Sequence, residues 1–164
     1  MKTLYIMRHA KSSWDDFSIS DFDRPLNHRG ERDAPLMAEI LKQKHILPDL
    51  ILSSPANRAK TTATIVADRL GYARENIHYQ ESIYESSQMN IMMLINALDE
   101  EINSCLLLGH NPALTGVVNL LDDVRLSNLP TAGIVGFRFV GRWADIKPKS
   151  GEFLFFEYPK KHKR

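Results

Sequence analysis

The chain has 164 residues, 43% of them hydrophobic, with 21 Lys and Arg against 20 Asp and Glu for a formal net charge of +1. That is one ordinary domain with enough apolar material for a core, and the balanced charge argues against the basic excess that bulk nucleic-acid binding uses. No apolar run reaches the ~18 residues of a membrane span, and the first run is interrupted at Arg8, too early for a secretory leader. A cytoplasmic protein with neither nucleic-acid nor membrane partners is expected. The single cysteine, Cys105, rules out an internal disulfide and fits a reducing compartment. Set among leucines, it reads as a small hydrophobe and not as a nucleophile.

Residues 3–7 predict a buried strand that ends at Arg8-His9-Ala10. Residues 10–27 are polar and predict a long loop, and a loop of that length in a compact domain usually serves function. Its Asp15, Asp16, Asp21 and Asp23 lack the glycine and closing glutamate of an EF-hand loop and read as a solvated face. The next helix carries Leu36, Met37, Ile40 and Leu41 on one side. Asn27 or Asp33 would cap it, and Pro35 suits a first turn better than an interior. Leu50 to Ser53 reads as the second strand. Pro55 fits the first turn of a helix in which Ala59, Ala63, Val66 and Leu70 recur at helical spacing, with Gly71 as its stop. Residues 77–83 read as extended and lead into Tyr84-Glu85-Ser86-Ser87. Residues 88–98 predict a helix with Ile91, Leu94, Ile95 and Leu98 inward, and Met89, Met92 and Met93 as core and surface filler. Residues 104–108 form a strand, Pro112 opens a helix to about Leu121, and residues 134–140 and 152–157 close the fold as a hairpin-like pair. A single domain over 1–158 is expected, followed by a basic, disordered tail at 159–164.

Strands alternating with helices predict an α/β fold, a three-layer α/β/α sandwich with a mostly parallel central sheet and no large cap insertion. Such sheets bind ligands beyond the carboxyl ends of their strands. Arg8-His9, then Arg58 after Ser53-Ser54-Pro55, then His110 after Cys105 to Gly109, all follow predicted strands, so they are expected to converge. Taken singly, each has a bland reading: an incidental pair, a solvated helix arginine, a helix cap. Three strand ends bearing the same grammar are harder to ascribe to accident.

The chemistry of this set is phosphoryl transfer. A neutral imidazole attacks phosphorus, and the resulting phosphoramidate is labile to water, so His9 splits one hard step into two easier ones. The transferring group spreads negative charge over its equatorial oxygens, which makes positive charge and positioning the main catalytic devices. Arg8 and Arg58 stay charged and offer planar forks, His110 offers a further hydrogen bond, and the helices after Pro55 and Pro112 offer free N–H groups. Which nitrogen of His9 attacks depends on what holds the other. His28, His45, His78 and His162 show no metal-ligand spacing, and no HxH, HExxH, CxxC or glycine-rich phosphate loop is present. Neither metal nor cofactor is expected.

Arg8-His9-Ala10, Ser53-Ser54-Pro55 with Arg58-Ala59 and Thr62-Ala63, and Gly109-His110-Asn111-Pro112 resemble the histidine phosphatase superfamily, the phosphoglycerate mutase-like fold. The short length, Arg24-Pro25-Leu26 before Gly30, and the missing cap are similar to its phosphohistidine phosphatase branch, the SixA-type proteins. The resemblance implies that His9 is the phosphorylated nucleophile, that Arg8, Arg58 and His110 form the phosphate pocket, and that Arg24 faces the substrate. Ala10 stands where the superfamily usually has glycine, which is tolerable if its φ is negative. Larger members carry an acid after the middle strand to protonate the leaving group. Glu85 is the positional candidate, with Glu81 behind it, and an exposed loop carboxylate is the competing reading. The implied activity is a metal-independent phosphatase acting on phosphohistidine in a partner protein, because an uncapped pocket admits a side chain projecting from another molecule. Two alternatives stay open: a phosphatase of small phosphate monoesters such as a sugar phosphate or nucleotide, and a catalytically silent phosphate-binding docking module.

Overall fold

A computed structural model describes residues 1–163. The strands are β1 (Lys2–Arg8), β2 (Leu50–Ser53), β3 (His78–Tyr79), β4 (Ser104–Gly109), β5 (Ile134–Phe139) and β6 (Glu152–Glu157). They form one six-stranded sheet in the order β3-β2-β4-β1-β5-β6. β3, β2, β4 and β1 run parallel, while β5 and β6 add an antiparallel hairpin at the side of β1. Helices α1 (His28–Gln43) and α2 (Asn57–Leu70) cover one face, and α3 (Gln88–Asn96) and α4 (Ala113–Leu121) the other. This is the predicted three-layer sandwich.

The central strands are apolar runs because both of their faces are covered. Alternation then sorts their side chains between the two cores. Leu4, Ile6, Cys105 and Leu107 pack towards α3 and α4, whereas Met7, Leu106 and Leu108 pack towards α1 and α2. Burial pushes the Cys105 thiol up to about 12, in keeping with a structural side chain. Met92 joins the core while Met89 and Met93 are exposed. Among the described residues no helix is long and apolar enough to cross a membrane.

Several local readings change. Asn27 caps α1, its side chain accepting from the Gly30 N–H at 2.9 Å. Asp33 is instead a fully buried helical carboxylate facing Arg29 at 3.5 Å and Lys163 at 2.8 Å. Pro35 lies inside α1. It forfeits the bond to the Glu31 carbonyl, but burial of Ala34, Met37, Ala38 and Leu41 holds the helix. α2 begins at Asn57, two residues beyond Pro55, and stops at Gly71 with φ +77°. Residues 77–83 contract to the two-residue edge strand β3 and a 3-10 turn at Glu81–Ile83.

The terminal residues also depart from expectation. Pro159–His162 form a one-turn helix, α5, with Pro159 buried. Lys161 and His162 reach the largely buried Glu157 at 2.6 and 2.5 Å, and Lys163 reaches Asp33. Composition read these residues as a loose end because their buried acidic partners lie elsewhere in the chain. Arg164 lies outside the described residues.

One close approach governs the base of the long loop. A Cβ on Gly30 would lie 2.1 Å from the main-chain oxygen of Lys11, two residues after His9. Gly30→Ala is expected to cost about 1–3 kcal/mol, as overpacking against fixed backbone does, and to displace the segment that follows His9. Thermal unfolding together with turnover checks this; an unchanged melting temperature would contradict it.

Candidate active site

The sheet itself assembles the site. β4 lies between β1 and β2, with Arg8 opposite Gly109 and Ser53 opposite Leu108. His9, His110 and Ser54 therefore leave three neighbouring strand ends. The His9 N–H donates to the Gly109 carbonyl at 3.1 Å and the Ser54 N–H to the Leu108 carbonyl at 3.0 Å. The two imidazole centroids stand 5.0 Å apart. Above them is a cavity of about 190 Å³ lined by Arg8, His9, Arg24, Arg58 and His110, all anticipated, together with Lys11, Ser12, Trp14, Asn111 and Thr131.

His9 is buried, and its Nδ1 lies 2.7 Å from the Ala10 carbonyl. A carbonyl only accepts, so Nδ1 carries the proton and Nε2 keeps the lone pair. Burial pushes this imidazole down to about 3, against the pull of the Ala10 carbonyl and with the positive potential of His110, Arg58 and Arg8 adding to it. His110 is pushed down to about 4, by burial first and then by Arg58 and Arg8, with Asp21 opposing. Its Nε2 is 2.7 Å from Ser54 Oγ. Both rings are neutral at physiological pH. In phosphate-free buffer the His9 ring resonances are expected to stay flat from pH 8 to pH 5, where an ordinary imidazole passes through its midpoint near ~6.5. An NMR titration showing such a midpoint for His9 would contradict the assignment.

Ala10 is fully buried and is not among the residues with positive φ, so the alanine fits the turn. Its N–H donates to Thr62 Oγ1 at 3.1 Å, and that hydroxyl donates to the Arg58 carbonyl at 2.8 Å. The first turn of α2 is thereby tied to the chain leaving His9. Arg8 Nη1 donates to the Leu129 carbonyl at 3.0 Å, while its Nε is buried without a partner. Burial, with Arg58 beside it, lowers the Arg8 pKa, yet a guanidinium keeps its charge. On the far side the Ala132 N–H donates to the carbonyls of both Arg8 and His9, at 3.1 and 3.0 Å, which brings Thr131 to the cavity.

Asp21 is exposed, as the sequence suggested, but it is not unpartnered. Arg58 donates to its carbonyl at 2.6 Å and to its Oδ2 at 3.1 Å. Arg24 Nη1 donates to Oδ1 at 2.9 Å, and the Tyr84 hydroxyl to Oδ2 at 2.7 Å. These bonds, Tyr84's first and then those of Arg24 and Arg58, hold the carboxyl down at about 2 against partial burial. Arg24 also donates from Nε to the Ser13 carbonyl at 3.0 Å and from Nη2 to Ser12 Oγ. Asp15, Asp16 and Asp23 are exposed as well, as expected.

Glu85 is not among the cavity's lining residues; it is exposed, with φ +56°. Tyr84 takes the inward position, with its ring 5.7 Å from that of His110 in a T-shaped contact and its hydroxyl on Asp21. The expected free N–H groups at the start of α4 are partly used, since Asn111 Oδ1 accepts from Thr115 N at 3.2 Å. Of the residues not anticipated, Lys11, Ser12 and Trp14 carried a usable signal, for they follow His9 directly. Thr131 carried none. Among the described residues no group of three His, Cys, Asp or Glu side chains is placed to hold a metal ion.

Comparison with known proteins agrees with this geometry. The Histidine phosphatase superfamily (branch 1) matches residues 4–103. An uncharacterized chloroplastic protein of Arabidopsis thaliana is 35% identical over 160 residues, which span 92% of this chain and 72% of that protein. A SixA structure from Agrobacterium tumefaciens superposes with a TM-score of 0.84 at 27% identity, covering 96% of this chain and 98% of its own. A structure described as the protein histidine phosphatase SixA complexed with tungstate superposes with a TM-score of 0.83 at 24% identity, covering 98% and 99%. The chain belongs to the histidine phosphatase superfamily, branch 1: it is a hydrolase of phosphate groups built like the SixA proteins.

Proposed function

We propose that this phosphatase removes phosphoryl groups from phosphohistidine in a partner protein, passing them through Nε2 of His9 and using no metal. The observation that carries the reading is the held tautomer of His9: Nδ1–H is fixed on the Ala10 carbonyl and Nε2 is left as the nucleophile. In the first step Nε2 bonds to phosphorus while the P–N bond of the substrate breaks. When the far nitrogen of the substrate ring is protonated, the electron pair returns to the ring and it departs as neutral imidazole. In the second step water attacks phosphorus, the bond to Nε2 breaks with its electron pair returning to the ring, and both protons of the water leave on the phosphate. Arg8, Arg58 and His110 meet the equatorial oxygens in both steps.

The lining of the cavity supports this substrate class. Among the described residues no carboxyl group lines it, and the nearby Asp21 is ionised above about 2. An alkoxide leaving group would need a carboxylic acid that this site does not offer, whereas an imidazole leaves without one. Release of phosphate from a phosphohistidine-bearing protein is the direct test, with EDTA expected to leave the rate unchanged. In the same assay Glu85→Gln is expected to change turnover by less than about twofold. A general acid would be worth roughly 10²–10⁴-fold, so a loss of that size would favour the monoester reading. Tungstate or vanadate is expected to inhibit by occupying the place of the phosphoryl group.

A further inference from the structure

Trp14 is the one exposed side chain among the residues lining the cavity. It is 59% exposed. The ring is held in place. The guanidinium carbon of Arg24 sits 3.2 Å from the ring centre, and Arg24 is in turn fixed by Asp21, Ser12 and Ser13. One face of the indole is thus covered by a buried, anchored cation, while much of the ring remains open to solvent at the cavity mouth.

In-line displacement places the leaving atom opposite the attacking one. With His9 at the floor, the leaving group projects towards the mouth, where Trp14 stands. We propose that Trp14 is a stacking platform for the flat ring of the departing histidine, and so the residue that selects heteroaromatic phosphoramidates over other phosphoryl compounds. Aromatic pairs favour such offset contact, and a protonated phosphoimidazole ring gains cation–π attraction as well. The inference rests on the phosphohistidine reading and deepens it.

The test compares two substrates with the same P–N bond: free phosphohistidine, which has a ring, and phosphoramidate, which has none. In Trp14→Ala, kcat/KM for phosphohistidine is expected to fall roughly tenfold, the upper end of what an aromatic pair supplies. Trp14→Phe is expected to keep most of it, and phosphoramidate is expected to stay within about twofold in both variants. Equal losses on both substrates would mean that Trp14 only props Arg24, which overturns the proposal. No loss on free phosphohistidine also overturns it, even if a phosphoprotein substrate is affected, because the indole would then be meeting protein surface and not the ring. A wild-type enzyme that leaves a phosphohistidine-bearing protein untouched overturns the phosphohistidine reading, and this inference with it; one that dephosphorylates the protein but splits neither small compound overturns this inference alone.

Discussion

His9→Ala is expected to lower turnover by roughly 10⁴-fold or more, the scale on which enzymes lose activity with their nucleophile. Nothing else in the cavity replaces it. His110 has Nε2 on Ser54 Oγ. The variant should also fail to take up label from a phosphoryl donor under rapid acid-free quench, while wild type carries a base-stable, acid-labile phosphoryl group. Because His9 is buried, the thermal transition of the variant must be recorded beside its activity. A folded variant within tenfold of wild type, or one that still labels, would point to another nucleophile and end the covalent mechanism.

Arg58→Ala is expected to cost roughly 10²–10³-fold in kcat/KM, the range for removing one preorganised donor from a developing anion. Two further readouts separate this from simple loosening. Inhibition by vanadate should weaken by more than about tenfold, since the same guanidinium meets the bound anion. The His9 ring should become easier to protonate, because Arg58 is one of the positive neighbours that hold it down near 3. Arg58→Lys is expected to recover only part of the loss: a lysine restores charge but not a planar fork. Asp21 keeps Arg24 and Tyr84 in either variant, so the loop should remain seated. Activity within tenfold of wild type in Arg58→Ala would remove this arginine from the proposed machinery.

Much of this site was legible in one dimension because its ingredients are local. Leu4 to Met7 and Cys105 to Leu108 are apolar runs that become central strands, each followed at once by a histidine. A parallel sheet puts neighbouring carboxyl ends side by side, so finding the strand ends nearly amounted to finding the pocket. Arg58 could be found for the same reason, in the first turn of the helix that follows β2. The weaker readings concerned residues whose role depends on a partner far along the chain. Asp21 looked like one of four unpartnered acids, but Tyr84 and Arg58 bind it from 63 and 37 residues away. Glu85 had the right sequence position for an acid, but its neighbour Tyr84 holds the inward place. The terminal lysines looked free until the buried carboxylates of Glu157 and Asp33 met them.

By itself, then, the amino-acid order determined the layered α/β architecture and which strand-end histidines and arginines would meet in one cavity, because apolar periodicity and strand-end position are properties of short stretches. Only the tertiary structure decided the tautomer of His9, the depressed ionisation of both imidazoles, the anchoring of Arg24 and Arg58 on Asp21, and the placing of Trp14 at the mouth. The physical reason is that burial, hydrogen-bond partners and electrostatic potential at a side chain come from atoms distant in sequence. Those atoms take their positions only when the whole chain packs.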